Sequence, residues 1–348
     1  MQQKQPTVIT SSQCNPGLWK AKYLHPGVPV VVDVKASDSL MPWTMAALRR
    51  HVGDVRVKVR RNTSSDDYKI GQRKFVFDTM SLSDYIDMIE EPQADRAPEG
   101  DAPPYPYNHY LAVQNIKQVF PSLSIPILTL ADMGPLKLHS GPFLWIAPPN
   151  HFEYCHFDPD DNFLLVTEGA KRVRLFPPSH LLHMYPNALG SQGRTIQSEM
   201  SKLNPWIAQY PNFLDASCLC QVGEIVRTLF CKEVVVEEGQ MLYIPAFWWH
   251  QVSAVSACVS INVFFGDGDG SIQVVAVPDL LASTNPRWLS FSYWILNVIH
   301  QNFDTPSFPR LLLRVQESLP YFLISQYHEY PQASHVAQLT RLIRCYCE

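Results

Sequence analysis

The chain has 348 residues, of which 46% are hydrophobic, and its 28 basic and 32 acidic side chains give a formal net charge of −4. This composition excludes a wholly disordered chain and provides no global attraction to a phosphate backbone. The eight cysteines include no CxxC pair, so we expect reduced thiols. No apolar run approaches the roughly 18 residues of a membrane span, and residues 1–17 lack the apolar core of a signal peptide. We therefore expect a soluble protein of the cytoplasm, the nucleus or both.

Residues 1–106 are predicted to form an N-terminal α/β lobe. Three of its runs are typical of strands: PVVVDV (29–34), residues 55–60 and KFVFDTM (74–80). The second run alternates valines with basic side chains, which predicts one buried and one basic face. A helix is predicted over TMAALRRHV, and Ser81 with Asp84 has the pattern of a capping box at the start of another helix. A Pro-rich, charged loop over residues 91–106 ends the lobe.

Residues 107–277 are predicted to form a barrel. Short β-like runs recur there with turn residues between them, a pattern typical of a β-sandwich or barrel. The runs are NHYLAV, PFLWIAP, FEYCHFD, NFLLVTE, KRVRLFPP, KEVVVEE, QMLYIPA, WWHQVSA and ACVSINVFF. The predicted fold class is therefore mainly β. In residues 278–348 the apolar spacing changes to a period of about 3.6 residues, which predicts a C-terminal helical segment.

Three residues of the predicted barrel have the chemistry of a metal site. His156 and Asp158 lie two residues apart, so on a strand both side chains point to one face. Alone this motif is a weak signal, because a surface histidine beside a turn aspartate explains it equally well. His250 follows the apolar run GQMLYIPAFWW, which is expected to turn its ring toward the barrel interior. Two histidines and one carboxylate match the facial triad of non-haem iron oxygenases, although a hydrogen-bonded core histidine would also explain His250 alone.

The ordered motifs HFDPDDNFLLVTEGAKRVRLFPP, GQMLYIPAFWWHQV and SINVFF closely resemble those of the JmjC-domain oxygenases, over roughly residues 20–265. The chain looks most like the small single-domain members, namely protein hydroxylases of the factor-inhibiting-HIF type and the wybutosine tRNA hydroxylase. The resemblance implies a double-stranded β-helix, that is a jelly-roll or cupin barrel, with Fe(II) held by His156, Asp158 and His250. It also implies 2-oxoglutarate as co-substrate and O₂ as oxidant.

The resemblance further assigns residues to the 2-oxoglutarate site. Lys171 lies fifteen residues after His156 and matches the lysine that pairs with the distal carboxylate of the co-substrate. A dicarboxylate in a barrel needs such a cation. Tyr110 matches a tyrosine whose hydroxyl meets the same carboxylate, and Asn162 and Asn262 match polar lining residues. Taken singly, Lys171 is also explained as a solvated strand lysine, and the two asparagines as a turn residue and a buried amide bonded to backbone.

Two features depart from the family pattern. Many relatives have Thr or Ser three residues before the first metal histidine, where this chain has Glu153, and a second acid there would repel the 2-oxoglutarate carboxylate. The strand parity of Glu153 is opposite to that of His156 and predicts that it points outward, whereas a β-bulge would reverse this inference. Residues 215–232 are longer than the family's usual connection, and they are either a substrate loop or a tolerated insertion.

The resemblance implies an oxygenase that hydroxylates a macromolecule, and a protein side chain is the first hypothesis because the chain has no appended reader domains. A tRNA base is the alternative. Six residues form a candidate basic patch for it: Arg49, Arg50, Arg56, Lys58, Arg60 and Arg61. A solvated lobe face also explains these charges. Lysine demethylation ranks third because histone-reading modules are lacking, and a non-catalytic binding barrel is disfavoured by the intact metal triad and Lys171.

The C-terminal segment is predicted to form a homodimer. It has two apolar stripes, Trp288, Phe291, Ile295 and Val298, and Val336, Leu339, Leu342 and Ile343. The stripes either fold back onto the barrel or pair across a two-fold axis, and the resembling small enzymes often pair through C-terminal helices. Replacing Leu339 and Leu342 with glutamate is therefore expected to give monomers with lower activity, because charges enter a desolvated seam. A wild-type chain that light scattering finds monomeric at micromolar concentration would contradict the prediction.

Overall fold

A computed structural model describes residues 8–10, 16–24, 27–34, 43–62, 75–90, 109–123, 138–151, 153–178, 184–186, 196–198, 232–265 and 290. The predicted loop over 91–106, the segment 215–232 and the helical stripes of the C-terminal segment lie outside these residues. The homodimer, which depends on those stripes, therefore stays a prediction, and so do the domain boundaries.

The described residues are mainly β and form two sheets. All strand pairs in them are antiparallel, except that the first two strands of the chain pair in parallel. The larger sheet has the order β1 (Val8–Thr10), β2 (Val30–Asp33), β12 (Gln240–Ile244), β8 (Asp161–Glu168), β14 (Cys258–Phe265), β6 (Leu138–Ala147), β5 (His109–Asn115), β3 (Arg56–Asn62) and β4 (Phe75–Ser81). The smaller has the order β10 (Ile196–Gln197), β7 (His156–Phe157), β13 (Trp249–Ala254), β9 (Ala170–Phe176) and β11 (Lys232–Glu237). This confirms the predicted jelly-roll fold.

Helical elements are short in the part of the chain that the structure describes. They are α1 (Pro16–Trp19), a π-helical turn (Lys20–Leu24), α2 (Met45–Val52), α3 (Leu82–Glu90) and α4 (Ile116–Val119). The predicted capping box is present at the start of α3, where the Asp84 amide donates to Ser81 Oγ at 3.0 Å and the Ser81 amide donates to Asp84 Oδ2 at 3.3 Å. No helix among the described residues is long and apolar enough to cross a membrane.

Side chains alternate along each strand, so that successive residues point into the barrel and toward its outer layers in turn. On β14, Ile261 and Val263 belong to an outer core with α2 and α3, whereas Asn262 faces the opposite way and lines the inner cavity. On β8, Phe163 belongs to a separate outer cluster, while Leu164 packs inward with the buried valines of β9 and β11. The inner faces of the two sheets therefore meet in one core, and polar residues at inner positions are brought into it.

One predicted strand is much shorter than expected. Within the run FEYCHFD only His156–Phe157 is a strand. The residues before it make hydrogen bonds to β13 without continuing the regular strand. The Glu153 amide donates to the Val252 carbonyl at 2.7 Å, and the Ala254 amide donates to the His151 carbonyl at 2.7 Å. Strand parity therefore cannot be counted back from His156 to Glu153.

Two of the predicted reduced thiols lie in the described residues. Cys155 and Cys258 are free and buried. The other cysteines lie outside the described part of the chain.

Tyr85 on α3 joins that helix to the larger sheet. Its buried hydroxyl donates to the Ile146 carbonyl of β6 at 2.8 Å and accepts from the Leu111 amide of β5 at 3.0 Å. Replacing Tyr85 with phenylalanine leaves both backbone groups without this partner, so we expect the free energy of unfolding to fall by about 2 kcal/mol. Denaturant titration measures this loss, and a change below about 0.5 kcal/mol would show that water or a backbone shift replaces the hydroxyl.

Candidate functional site

A cavity of about 290 Å³ lies between the two sheets. All the residues predicted for the metal and co-substrate sites line it, namely His156, Asp158, His250, Lys171, Asn162, Tyr110 and Asn262. The smaller sheet contributes the two histidines and Lys171, and the larger sheet contributes the tyrosine and both asparagines. The fold thus brings together residues that are up to 152 positions apart (262 minus 110) in the chain.

His156, Asp158 and His250 form a compact group. His156 on β7 is the register partner of His250 on β13, and Asp158 directly follows the β7 strand. Asp158 Oδ2 lies 3.9 Å from His156 Nε2 and 3.6 Å from His250 Nε2. One ligand atom from each residue lies within 4.8 Å of the other two. This donor set suits Fe(II) with open coordination positions.

Hydrogen bonds orient both imidazoles. His156 Nδ1 lies 2.7 Å from the Tyr154 carbonyl, and His250 Nδ1 lies 2.9 Å from the Trp248 carbonyl. A carbonyl oxygen only accepts, so each Nδ1 must carry the proton and donate. Each Nε2 is then left with a lone pair on the Asp158 side, which is the tautomer a metal ligand needs.

The electrostatics of His250 also suit a ligand. Burial lowers the pKa of His250 to about 3, with the neighbouring His156 adding to the effect. His250 is therefore neutral at pH 7, and its approach to Asp158 is not an ion pair. A neutral imidazole nitrogen and a carboxylate oxygen with no proton between them can both act as metal ligands, so these residues fit a divalent cation.

Lys171 is a buried cation, only 4% exposed, on the cavity wall. Among the described residues, no hydrogen bond or ion pair to its ammonium is found. Burial lowers the pKa of Lys171, and the Glu153 carboxylate is among the groups that oppose this shift. A buried ammonium that faces a cavity needs an anionic ligand. A carboxylate of a small acid fits this requirement.

The remaining predicted residues supply polar groups. Asn262 Nδ2 donates to Asn162 Oδ1 at 2.7 Å, while the buried Asn262 Oδ1 has no hydrogen-bond partner in the described residues. Burial raises the pKa of Tyr110 well above its usual value, so its hydroxyl stays protonated as a donor. Leu164, Ile244 and Val252 complete an apolar wall that limits water.

Two charged residues of the cavity were not assigned to it from the sequence. Of the two orientations left open for Glu153, the structure has the inward one, because its side chain lines the cavity. Glu153 Oε1 pairs with Arg60 Nη1 at 3.2 Å, and Arg60 lines the cavity as well. Arg60 belongs to β3, whose alternating pattern predicted a solvent-facing basic side chain. Its register partner is Tyr110 on β5, and no local sequence signal reports such a long-range pairing.

Comparisons with known proteins agree with this arrangement. Residues 16–270 match the family described as "Cupin-like domain". The chain is similar to the tRNA wybutosine-synthesizing protein 5 of Danio rerio, with 27% identity over 250 residues that cover 68% of this chain and 68% of that protein. It is also similar to Lysine-specific demethylase 8 of Danio rerio, with 23% identity over 254 residues covering 71% of this chain and 55% of that protein. For the human HSPB1-associated protein 1 the identity is 29% over 121 residues, and the match spans 22% of that protein.

Proposed function

Because this chain belongs to the JmjC-type family of cupin-like domains, we propose that it is an oxygenase dependent on Fe(II) and 2-oxoglutarate. Family membership and the relatives support a 2-oxoglutarate-type oxygenase in general. The observation that carries the proposal is one cavity with a His, Asp and His donor set together with a buried lysine cation. A metal site alone would fit many proteins, whereas the added anion site points to an acidic co-substrate.

The roles we assign to the residues follow from their atoms. The Nε2 atoms of His156 and His250 and the Asp158 carboxylate would hold Fe(II). The Lys171 ammonium, with the Tyr110 hydroxyl as a further donor, would bind the far carboxylate of 2-oxoglutarate. When bound, the metal, co-substrate and O₂ supply the oxidising chemistry, and the barrel supplies orientation and a cavity with few waters.

The substrate we propose is a protein side chain, which would be hydroxylated. A tRNA base is the second candidate, since a relative is named as a tRNA wybutosine-synthesizing protein. The contacts of the candidate basic patch favour the first. Arg49 pairs with Asp87 and Glu90, Arg61 pairs with Asp78, and Arg60 pairs with Glu153. Half of the patch is thus neutralised within the protein, which leaves less charge for a phosphate backbone.

Other functions are outcomes of the test. Lysine demethylation is the third candidate, since another relative is named as a lysine-specific demethylase. A non-catalytic binding protein would keep the barrel without turnover. For the compartment we propose the cytoplasm, the nucleus or both.

The test of the proposed function is a turnover assay. The protein is purified without O₂, loaded with Fe(II), and then supplied with O₂, 2-oxoglutarate and either fractionated protein or fractionated tRNA. We expect succinate release that depends on Fe(II) and is stimulated by a protein fraction. Stimulation by tRNA alone would select the second candidate. No succinate from either pool, together with no binding of 2-oxoglutarate, would assign the chain to non-catalytic binding.

A further inference from the structure

The wall of the cavity that contains Lys171 also contains an acid. Glu153 lines the cavity with Lys171 and Tyr110, and its side chain is 19% exposed. Its charge acts on both neighbours. Burial is the main reason that the pKa of Tyr110 is raised, and the Glu153 carboxylate adds to that shift. A carboxylate in this position would repel another carboxylate bound at Lys171.

Backbone hydrogen bonds hold the main chain at Glu153 in place. Its amide donates to the Val252 carbonyl at 2.7 Å, and the neighbouring Ala254 amide donates to the His151 carbonyl at 2.7 Å. The segment is therefore fixed to β13, two positions beyond His250. An acid held this firmly beside an anion site requires a counter-charge.

Arg60 is that counter-charge. Arg60 Nη1 lies 3.2 Å from Glu153 Oε1, and the two side chains are 24% and 19% exposed. His151 is another basic neighbour, with Nε2 at 3.8 Å from Glu153 Oε1, which is too long for a hydrogen bond. Burial lowers the pKa of His151, although Glu153 opposes the shift, so this imidazole is neutral at pH 7. The positive charge that balances Glu153 therefore comes from Arg60 on β3.

We infer that Arg60 is a specificity-determining residue of the co-substrate site, because it neutralises Glu153 and so leaves the charge of Lys171 for the far carboxylate of a dicarboxylate. This inference rests on the proposed function. Arg60 acts through Glu153 and through the charge of the cavity wall. The β3 strand, which precedes the barrel strands in the chain, thereby helps to set which acid the cavity accepts.

The two residues are expected to be coupled. R60Q removes the positive charge that pairs with the Glu153 carboxylate, so affinity for 2-oxoglutarate should fall about tenfold or more. E153Q removes the repulsion and leaves Arg60 as a second cation, so affinity should be unchanged or higher. The double variant R60Q/E153Q has neither charge and should return to within about threefold of wild type.

Calorimetric titration measures these affinities without turnover. The full chain is loaded with Mn(II), which replaces Fe(II) without redox chemistry, and titrated with 2-oxoglutarate. K58Q is the matched control, because Lys58 lies two positions before Arg60 on β3, is exposed and does not line the cavity. A second titration uses 2-oxopentanoate, which has the same carbon chain with a methyl group in place of the far carboxylate. R60Q should not weaken its binding, because no second carboxylate meets Glu153.

The outcomes separate the inference from the proposed function. Wild-type protein that binds no 2-oxoglutarate would overturn both. Two outcomes would overturn the inference alone when wild-type protein binds 2-oxoglutarate. In one, R60Q has the same affinity as wild type. In the other, the effects of R60Q and E153Q on affinity simply add in the double variant. If R60Q does not fold, as judged by its thermal transition, E153Q decides the matter. Weaker binding by E153Q than by wild type overturns the inference, and equal or tighter binding supports it.

Discussion

Replacing Asp158 with alanine is expected to abolish turnover of 2-oxoglutarate and to leave the barrel folded. Asp158 contributes the only carboxylate of the candidate donor set, and its Oδ2 lies within 4 Å of both imidazole Nε2 atoms. Loss of the hydrogen-bond partner of a metal ligand alone typically costs about 10- to 100-fold in metal affinity. Loss of a direct ligand should cost at least about 100-fold by the same measure. His156→Ala is expected to behave in the same way.

The fold should tolerate the change because the turn also has a backbone hydrogen bond, in which the Phe247 amide donates to the Asp158 carbonyl at 2.8 Å. Alanine keeps that bond. Three measurements separate the effects of the substitution. Titration with Mn(II) measures metal affinity, succinate release measures turnover, and the thermal transition reports whether the barrel is folded.

Asp160→Ala is the matched control, since Asp160 precedes β8, is half-buried and does not line the cavity. It should keep both metal and turnover. Retention of full metal affinity by Asp158→Ala would remove this residue from the donor set. Loss of the thermal transition in that variant, with Asp160→Ala intact, would mean that the site is structural.

Much of the fold and of the candidate site follows from period-two patterns. Val57 and Val59 are buried on β3 as their alternation predicts, and the buried valines of β9 and β11 face inward. Asn262 is an inner-face residue because its neighbours Ile261 and Val263 belong to the outer core. Where a residue lies within a regular strand, local spacing was enough to place it.

Glu153 and Arg60 show where local spacing fails. Glu153 lies before the short strand β7, in a stretch whose hydrogen bonds to β13 are irregular, so counting by twos gave the wrong face. Arg60 lies on a regular strand, but its environment is set by β3 pairing with β5 beside Tyr110. That pairing depends on contacts between distant parts of the chain. Where β3 pairs with β5, the basic face of β3, which the sequence pattern assigns to solvent, is partly buried.

Strands that precede the barrel also extend its larger sheet at both ends. β2 pairs with β12, and β3 pairs with β5. The predicted N-terminal lobe therefore shares a sheet with the barrel strands. This continuity explains how a residue of that lobe, Arg60, reaches the cavity.

Replacing Lys171 is expected to raise the concentration of 2-oxoglutarate that the protein requires and to leave metal binding unchanged. The ammonium is buried on the cavity wall, whereas the donor set comprises His156, Asp158 and His250. A charge-assisted hydrogen bond in a buried site contributes about 1.5–3 kcal/mol, so the loss should be about 10- to 100-fold in 2-oxoglutarate affinity. Lys171→Ala removes the group, and Lys171→Met does so while keeping the alkyl volume.

Stability should not suffer in Lys171→Met. Burial lowers the pKa of Lys171, which means that the charged form is less favourable in the folded than in the unfolded chain. By linkage, this group costs stability in full at pH values below its folded pKa, and the cost falls as the pH rises from that pKa to the higher unfolded pKa. A neutral side chain of similar length avoids the cost at neutral pH, so the thermal transition should stay or rise.

Arg172→Ala is the matched control for Lys171, because the next residue on β9 is exposed and lies 3.6 Å from Glu233, away from the cavity. Titrations of 2-oxoglutarate into the Mn(II)-loaded chain should give wild-type affinity for Arg172→Ala and much weaker binding for Lys171→Met. If Lys171→Met binds 2-oxoglutarate as wild type does, the far carboxylate lies elsewhere, and Arg60 becomes the cation to test in its place. Weakened Mn(II) binding in the same variant would instead show that Lys171 supports the metal site.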